Sequence, residues 1–174
     1  AMYNGRYPSL SGIVGAYDDT KVIFTLGGNI MTRTGGGMEP YDIKTATLNE
    51  GDVWLFSSNR DAADLTGSKV VATRPVGVVS GNFCTNIPLT NRWCDYTVEM
   101  DLPTYTWGFN YHVAKVPGRK FPPLIRVFAK EPNTKLYRDG VQIGNIKESG
   151  GIDQKGYLEM RLVPFESEPR SAVI

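Results

Sequence analysis

Asp64-Leu65-Thr66-Gly67-Ser68, Thr73-Arg74-Pro75-Val76-Gly77-Val78-Val79-Ser80-Gly81, Cys84, Cys94-Asp95 and Tyr105-Thr106-Trp107-Gly108 follow one another through the middle of the chain. They read as two extended segments, a short loop between two cysteines and a Trp-Gly corner. Pro75 cannot donate to a sheet ladder, so it belongs at a strand start or edge. Asp64 is best placed to form a turn, its carboxylate accepting backbone N–H groups two residues on. No nucleophile motif, catalytic carboxylate pair or metal cluster is evident in this stretch.

Outward from there, the chain reads as strands. Nineteen glycines and eleven prolines cut it into strand-length intervals, and helical periodicity is nearly absent. Lys21–Leu26, Ile43–Leu48, Val53–Phe56, Lys69–Ala72, Val76–Val79, Phe109–Ala114, Leu124–Ala129 and Tyr157–Leu162 are apolar, β-branched or alternating. Asp139-Gly140 between alternating residues predicts a type I′ hairpin over Lys135–Ile143, because its positive φ angles match strand twist. Strands this frequent without helices predict an all-β fold: a two-sheet antiparallel β-sandwich, with a barrel-like closure as the alternative.

Two stretches echo each other. Asp19-Thr20-Lys21-Val22 matches Asn133-Thr134-Lys135-Leu136, and Ser68-Lys69-Val70-Val71 has a late counterpart in Ser171-Ala172-Val173-Ile174. The expectation is one domain over residues 1–174 with two similar halves, about 10–81 and 122–174, joined by 82–121; short hairpins also look alike by chance. After the first echo a further strand follows, whereas the second stands at the chain end. The last strand of the second half is therefore expected to be missing or supplied from elsewhere. Ala1-Met2 reads as a cloning remnant ahead of a segment excised from a larger protein, so the lack of a leader says little about compartment.

Composition narrows the function classes. Nineteen basic residues are balanced by eighteen acidic ones, without the positive stripe that nucleic-acid binding requires. No apolar run approaches the ~18–20 residues that cross a bilayer, so membrane insertion by this domain is not expected. Cys84 and Cys94, ten positions apart, read as a structural disulfide, with buried free thiols as the alternative. A disulfide implies an oxidising place, hence secretion or the cell surface. Two cysteines and one histidine fall short of a zinc site, and no metal or cofactor is expected.

Possible chemistry is sparse. His112 sits in a strand-like stretch with no serine or cysteine motif to pair with it, which favours a structural or exposed role. Asp61, Asp64, Asp95, Glu99 and Asp101 could supply a glycosidase pair or bind calcium, but turn formation explains Asp64 and Asp95 more simply. Thr32–Met38, with three successive glycines, reads as a flexible surface loop and lacks the lysine and helix of a phosphate cradle. Trp54 is expected in the core and Trp107 with Gly108 at a strand corner. Trp93, beside Arg92 in the cysteine loop, is the candidate exposed contact. Arg119-Lys120, the only adjacent basic pair, joins Arg92 and Trp93 as candidate ligand contacts.

In order and spacing these pieces resemble the IgGFc-binding protein N-terminal domain family, an extracellular β-rich module of mucin-like and microbial surface proteins. The matching residues are Asp19-Thr20, Leu48-Asn49-Glu50-Gly51-Asp52, Asp64 with Thr66 and Gly67, Arg74-Pro75-Val76, Ser80-Gly81, Cys84…Cys94-Asp95, Leu102-Pro103, Trp107-Gly108 and Thr134. The resemblance runs from about Ile13 to Ile143 and more loosely beyond. It implies a non-enzymatic binding or adhesion module of a larger secreted or surface protein, with a protein or glycan partner at a cell surface or in mucus and neighbouring domains in the same chain. A carbohydrate-binding module attached to an enzyme and a structural spacer are the alternatives. No residue here is identifiable as an Fc contact, and the Gly118-Arg119-Lys120-Phe121-Pro122 loop departs from the small, acidic residues of the family.

Overall fold

A computed structural model describes residues 7–27, 32–59, 63–87, 92–114, 117–119, 122–147, 157–161 and 172–173. The described residues up to Leu102 form one compact unit and those from Pro103 onward a second. Both are built of antiparallel strands, and no α-helix occurs among the described residues.

The first unit holds β1 (Ser9–Gly15), β2 (Thr20–Thr25), β3 (Ile43–Leu48), β4 (Val53–Ser57), β5 (Lys69–Ala72), β6 (Val76–Thr85) and β7 (Asp95–Met100). They make a four-stranded sheet in the order β4-β1-β6-β7 and a three-stranded sheet in the order β3-β2-β5. The sheets stay open, so the sandwich expectation holds and the barrel alternative does not. Alternation in β1 and β2 turns Ile13, Val22 and Phe24 inward, where they meet Leu26, Met38, Leu48, Phe56 and Leu65. The two sheets are joined through aromatic rings: Phe24 of β2 stacks on Phe56 of β4, and Trp54 packs edge-on against Phe24. Each fully buried side chain of this size contributes about 1.5–3 kcal/mol.

The second unit holds β8 (His112–Val113), β9 (Leu124–Phe128), β10 (Thr134–Arg138), β11 (Val141–Ile146), β12 (Tyr157–Arg161) and β13 (Ala172–Val173). They pair as β10-β11, β12-β9 and β13-β8. Asp139 and Gly140 have φ of 49° and 82°, the double left-handed conformation of the type I′ turn read from Asp-Gly.

Three local expectations are corrected. Phe109–Ala114 forms a strand only at His112–Val113, because before it the Gly108 N–H turns in to donate to the Tyr111 hydroxyl at 2.8 Å. The Thr32–Met38 segment is no loose loop: Thr32, Thr34 and Met38 are buried, and the Thr34 hydroxyl accepts the Met38 N–H at 3.0 Å. Only Gly35, Gly36 and Gly37 between them are exposed. Two strands, β1 and β7, arise where no strand was expected. Pro75 lies, as its chemistry requires, immediately before β6.

Candidate functional site

The β6–β7 hairpin is held at its closed end by one buried side chain. Asn82 donates its amide to the carbonyls of Tyr7 (3.1 Å) and Pro8 (3.2 Å), and its oxygen accepts the Cys84 N–H at 2.8 Å. Here the ladder loses register, between Asn82 and Thr85, and the irregularity turns Cys84 toward β7. Cys84 and Cys94 are disulfide-bonded with Cα atoms 5.1 Å apart, so both thiols are consumed structurally. Nothing in the two-cysteine pattern announced Asn82, although an Asn two residues before a turning backbone N–H is the usual Asx signature.

Beside the disulfide, Arg92 and Trp93 face solvent. Trp93 is 79% exposed, and the Arg92 guanidinium carbon lies 5.3 Å from the centre of its ring. The pair presents a flat apolar surface with a cation above it. In the second unit Arg119 is exposed, and Lys120 lies outside the described residues.

Behind the tip, the outward side of the four-stranded sheet is apolar. Register places Val53 and Leu55 of β4, Leu10, Gly12 and Val14 of β1, Gly77, Val79 and Gly81 of β6, and Val98 and Met100 of β7 on one face. Val53, Leu55, Val98 and Met100 are each more than half exposed, as are Phe83 and Tyr96 toward the disulfide end. In the two middle strands Gly12, Gly77 and Gly81 alternate with the half-buried Leu10, Val14 and Val79, and Ser57 of β4 lies on the same face. A solvent-facing sheet surface is ordinarily polar; a contiguous apolar one marks an interaction site.

The acids are engaged locally. Asp64 Oδ1 accepts the Thr66 N–H at 3.0 Å and the Thr66 hydroxyl, a turn closed by Gly67 at φ 90°. Asp95 accepts the N–H of its own neighbour Tyr96, not one two residues on. Asp101 accepts the Ser80 hydroxyl and Glu99 the Met100 N–H. Asp61 lies outside the described residues. Among the described residues no three His, Cys, Asp or Glu side chains are grouped to hold a metal ion. His112 is exposed on β8, opposite Val173. Trp107 ends a short 3-10 turn (Thr104–Thr106), with its ring 6.5 Å from that of Phe128.

A family model described as IgGFc binding protein matches residues 1–169. The chain belongs to the IgGFc-binding protein family. Its sequence is 31% identical over 159 residues to the human IgGFc-binding protein, covering 91% of this chain and 3% of the human one. The chain thus spans a small fraction of the length of that relative. No solved structure matches it. Within this family member, no helix among the described residues is long and apolar enough to cross a membrane.

Proposed function

We propose that the chain is a non-catalytic binding module of a larger secreted or surface protein, and that it engages a protein partner through the apolar sheet face and the disulfide-closed tip. The observation that carries this reading is one sheet face with exposed apolar side chains on both edge strands, Val53 and Leu55 of β4 and Val98 and Met100 of β7, with Phe83 and Tyr96 exposed nearer Trp93 and Arg92. Aromatic and arginine side chains dominate the energy of protein contacts because they bury large areas with few rotors to freeze. A disulfide beneath them restrains the loop before any partner arrives, which lowers the ordering cost of binding. Arg119 and Lys120 form a second set of polar contacts in this reading. The family name supports a protein as the partner, and immunoglobulin Fc is one member of the set to be tested.

The domain of residues 1–174 is screened against serum proteins, including IgG Fc, and against glycans. A protein ligand is expected. Trp93→Ala should then weaken binding about thirtyfold, the roughly 2 kcal/mol of a hot-spot residue, with unfolding unchanged. Leu55→Asp should weaken it through the sheet face. Binding to glycans alone, or protein binding indifferent to both substitutions, would refute this assignment.

A further inference from the structure

The strands of the larger sheet carry charge at one place. β1, β4 and β6 contain neither acid nor base, and the ionised side chains of the sheet are Asp95 and Glu99 on β7. Asp101 comes next along the chain, and its N–H donates to the Val78 carbonyl at 2.8 Å. Amide direction alternates along an antiparallel ladder. Thr97 and Glu99, opposite Asn82 and Ser80, therefore turn their amides to β6 as Asp101 does, and Tyr96, Val98 and Met100 turn theirs to the outer edge.

That edge stands in water. All six residues of β7 are exposed, and it ends the order β4-β1-β6-β7 of the described strands. Its two sides differ in chemistry. Val98 and Met100 share the face of Val53 and Leu55, whereas Asp95, Thr97 and Glu99 alternate with them on the opposite side. Two outward amides are covered by the strand's own acids: Asp95 Oδ1 accepts the Tyr96 N–H at 2.8 Å, and Glu99 Oε1 the Met100 N–H at 3.3 Å. The Val98 amide lies between them. An exposed edge is a template for a further strand. Here each carboxylate occupies an N–H that the carbonyl of such a strand would take, and a cation offers that carboxylate a stronger, charge-assisted partner.

We propose that the protein partner adds an extended segment to the outer edge of β7, and that this segment alternates apolar residues with lysine or arginine. Its apolar side chains continue the face of Val98 and Met100. Its cations draw Asp95 and Glu99 off the Tyr96 and Met100 amides, and main-chain hydrogen bonds form along the edge so released. The inference rests on the protein-binding reading of the same sheet face and states how that partner is held. A second copy of this chain is a poor occupant, because pairing β7 with itself sets acids beside acids, and like charges facing across a ladder destabilise it.

The probe is a blocked synthetic peptide, Thr-Val-Lys-Val-Lys-Val-Thr, titrated onto the whole chain and followed by fluorescence anisotropy and amide hydrogen exchange. At saturation the Tyr96, Val98 and Met100 amides should exchange about tenfold more slowly or better, with Thr97 and Glu99 little altered because β6 already holds them. A peptide with glutamate in place of lysine, and a lysine peptide with proline at its centre, should each bind at least about tenfold more weakly. Asp95→Asn with Glu99→Gln keeps an oxygen beside both amides but removes the charge, and should cost the basic peptide about tenfold in affinity and flatten its salt dependence. Val98→Pro deletes the central outward N–H without touching the β6 ladder and should cost as much. No binding at millimolar peptide, equal binding of the glutamate peptide, or binding that leaves these three amides unprotected would overturn the proposal. A protein ligand weakened by Leu55→Asp but indifferent to Val98→Pro would refute strand addition and leave the binding face standing. One indifferent to Trp93→Ala, Leu55→Asp and Val98→Pro alike would refute both.

Discussion

Phe24 and Phe56 stack face to face, with ring centroids 3.7 Å apart and planes inclined by 14°, and this contact joins the three-stranded sheet to the four-stranded one. Trp54 leans on both rings from the same strand as Phe56, at 6.4 Å from Phe24 and 4.6 Å from Phe56. Phe24 is fully buried. Phe24→Ala removes the centre of the cluster and is expected to cost about 3–5 kcal/mol, as truncation of a buried aromatic usually does. Urea unfolding followed by Trp54 fluorescence measures it; a loss below about 1 kcal/mol would mean that the sheets are held elsewhere.

Gly15 and Asn49 set the limit on the end of β1. A Cβ on Gly15 would lie 2.3 Å from the Asn49 carbonyl oxygen, and the turn is tied there by the Gly51 N–H donating to Gly15 and the Gly15 N–H donating to Asp52. The obstacle is backbone, so no rotamer change relieves it. Gly15→Ala is expected to destabilise by about 2 kcal/mol or more, within the range for overpacking. Gly35→Ala, where nothing lies within 4 Å, should change stability by no more than about 0.5 kcal/mol. Equal losses at the two sites would contradict the steric account.

Asn82 satisfies two carbonyls and one N–H at once. Asn82→Ala leaves these groups without that partner in a buried place, at a cost of about 1–3 kcal/mol. Asn82→Asp keeps the acceptor for Cys84 but sets a carboxylate against the Tyr7 and Pro8 carbonyls, so it should rescue nothing. Chemical denaturation of the two variants beside the parent protein decides; a parent-like Asp variant would show that the amide donor bonds are unimportant.

The disulfide should be closed in the purified protein, visible as no thiol labelling under non-reducing conditions. With its partners ten positions apart, the bridge closes a short loop, so the double change Cys84→Ser, Cys94→Ser is expected to lose about 2–3 kcal/mol. Trp93 is already 79% exposed with the bridge closed, so its emission maximum should barely move while affinity for a protein partner falls. Two reactive thiols in the native protein would remove both the expected stabilisation and the preorganised tip.

Most strands could be read directly because their signals are local. β2, β3, β5 and β9 to β12 are β-branched or alternating runs between turn residues, and Asp139-Gly140 carries its turn type in its own backbone preferences. Asp64 before Thr66 declared its turn in the same way. β1 escaped notice because Ser9-Leu10-Ser11-Gly12-Ile13-Val14-Gly15 has little intrinsic strand preference; it becomes a central strand because β4 and β6 pair with it from either side. β7 escaped because it lies alone at the sheet edge with every residue exposed.

The candidate site shows the same division. The exposure of Trp93 and the pairing of Cys84 with Cys94 were legible, since a loop between two nearby cysteines constrains what lies inside it. The apolar sheet face was not, because alternation marks two sides of a strand without saying which meets the other sheet. Leu55 and Phe56 are neighbours of comparable hydrophobicity, yet one faces water and the other the core. Residue order was enough for the strands, the Asp-Gly turn and the sulfur bridge, all of which depend on groups close along the chain. Which faces are covered, where Asn82 finds its three partners and that β9 pairs with β12 depend on segments far apart in sequence meeting in space, and only the folded arrangement settles them.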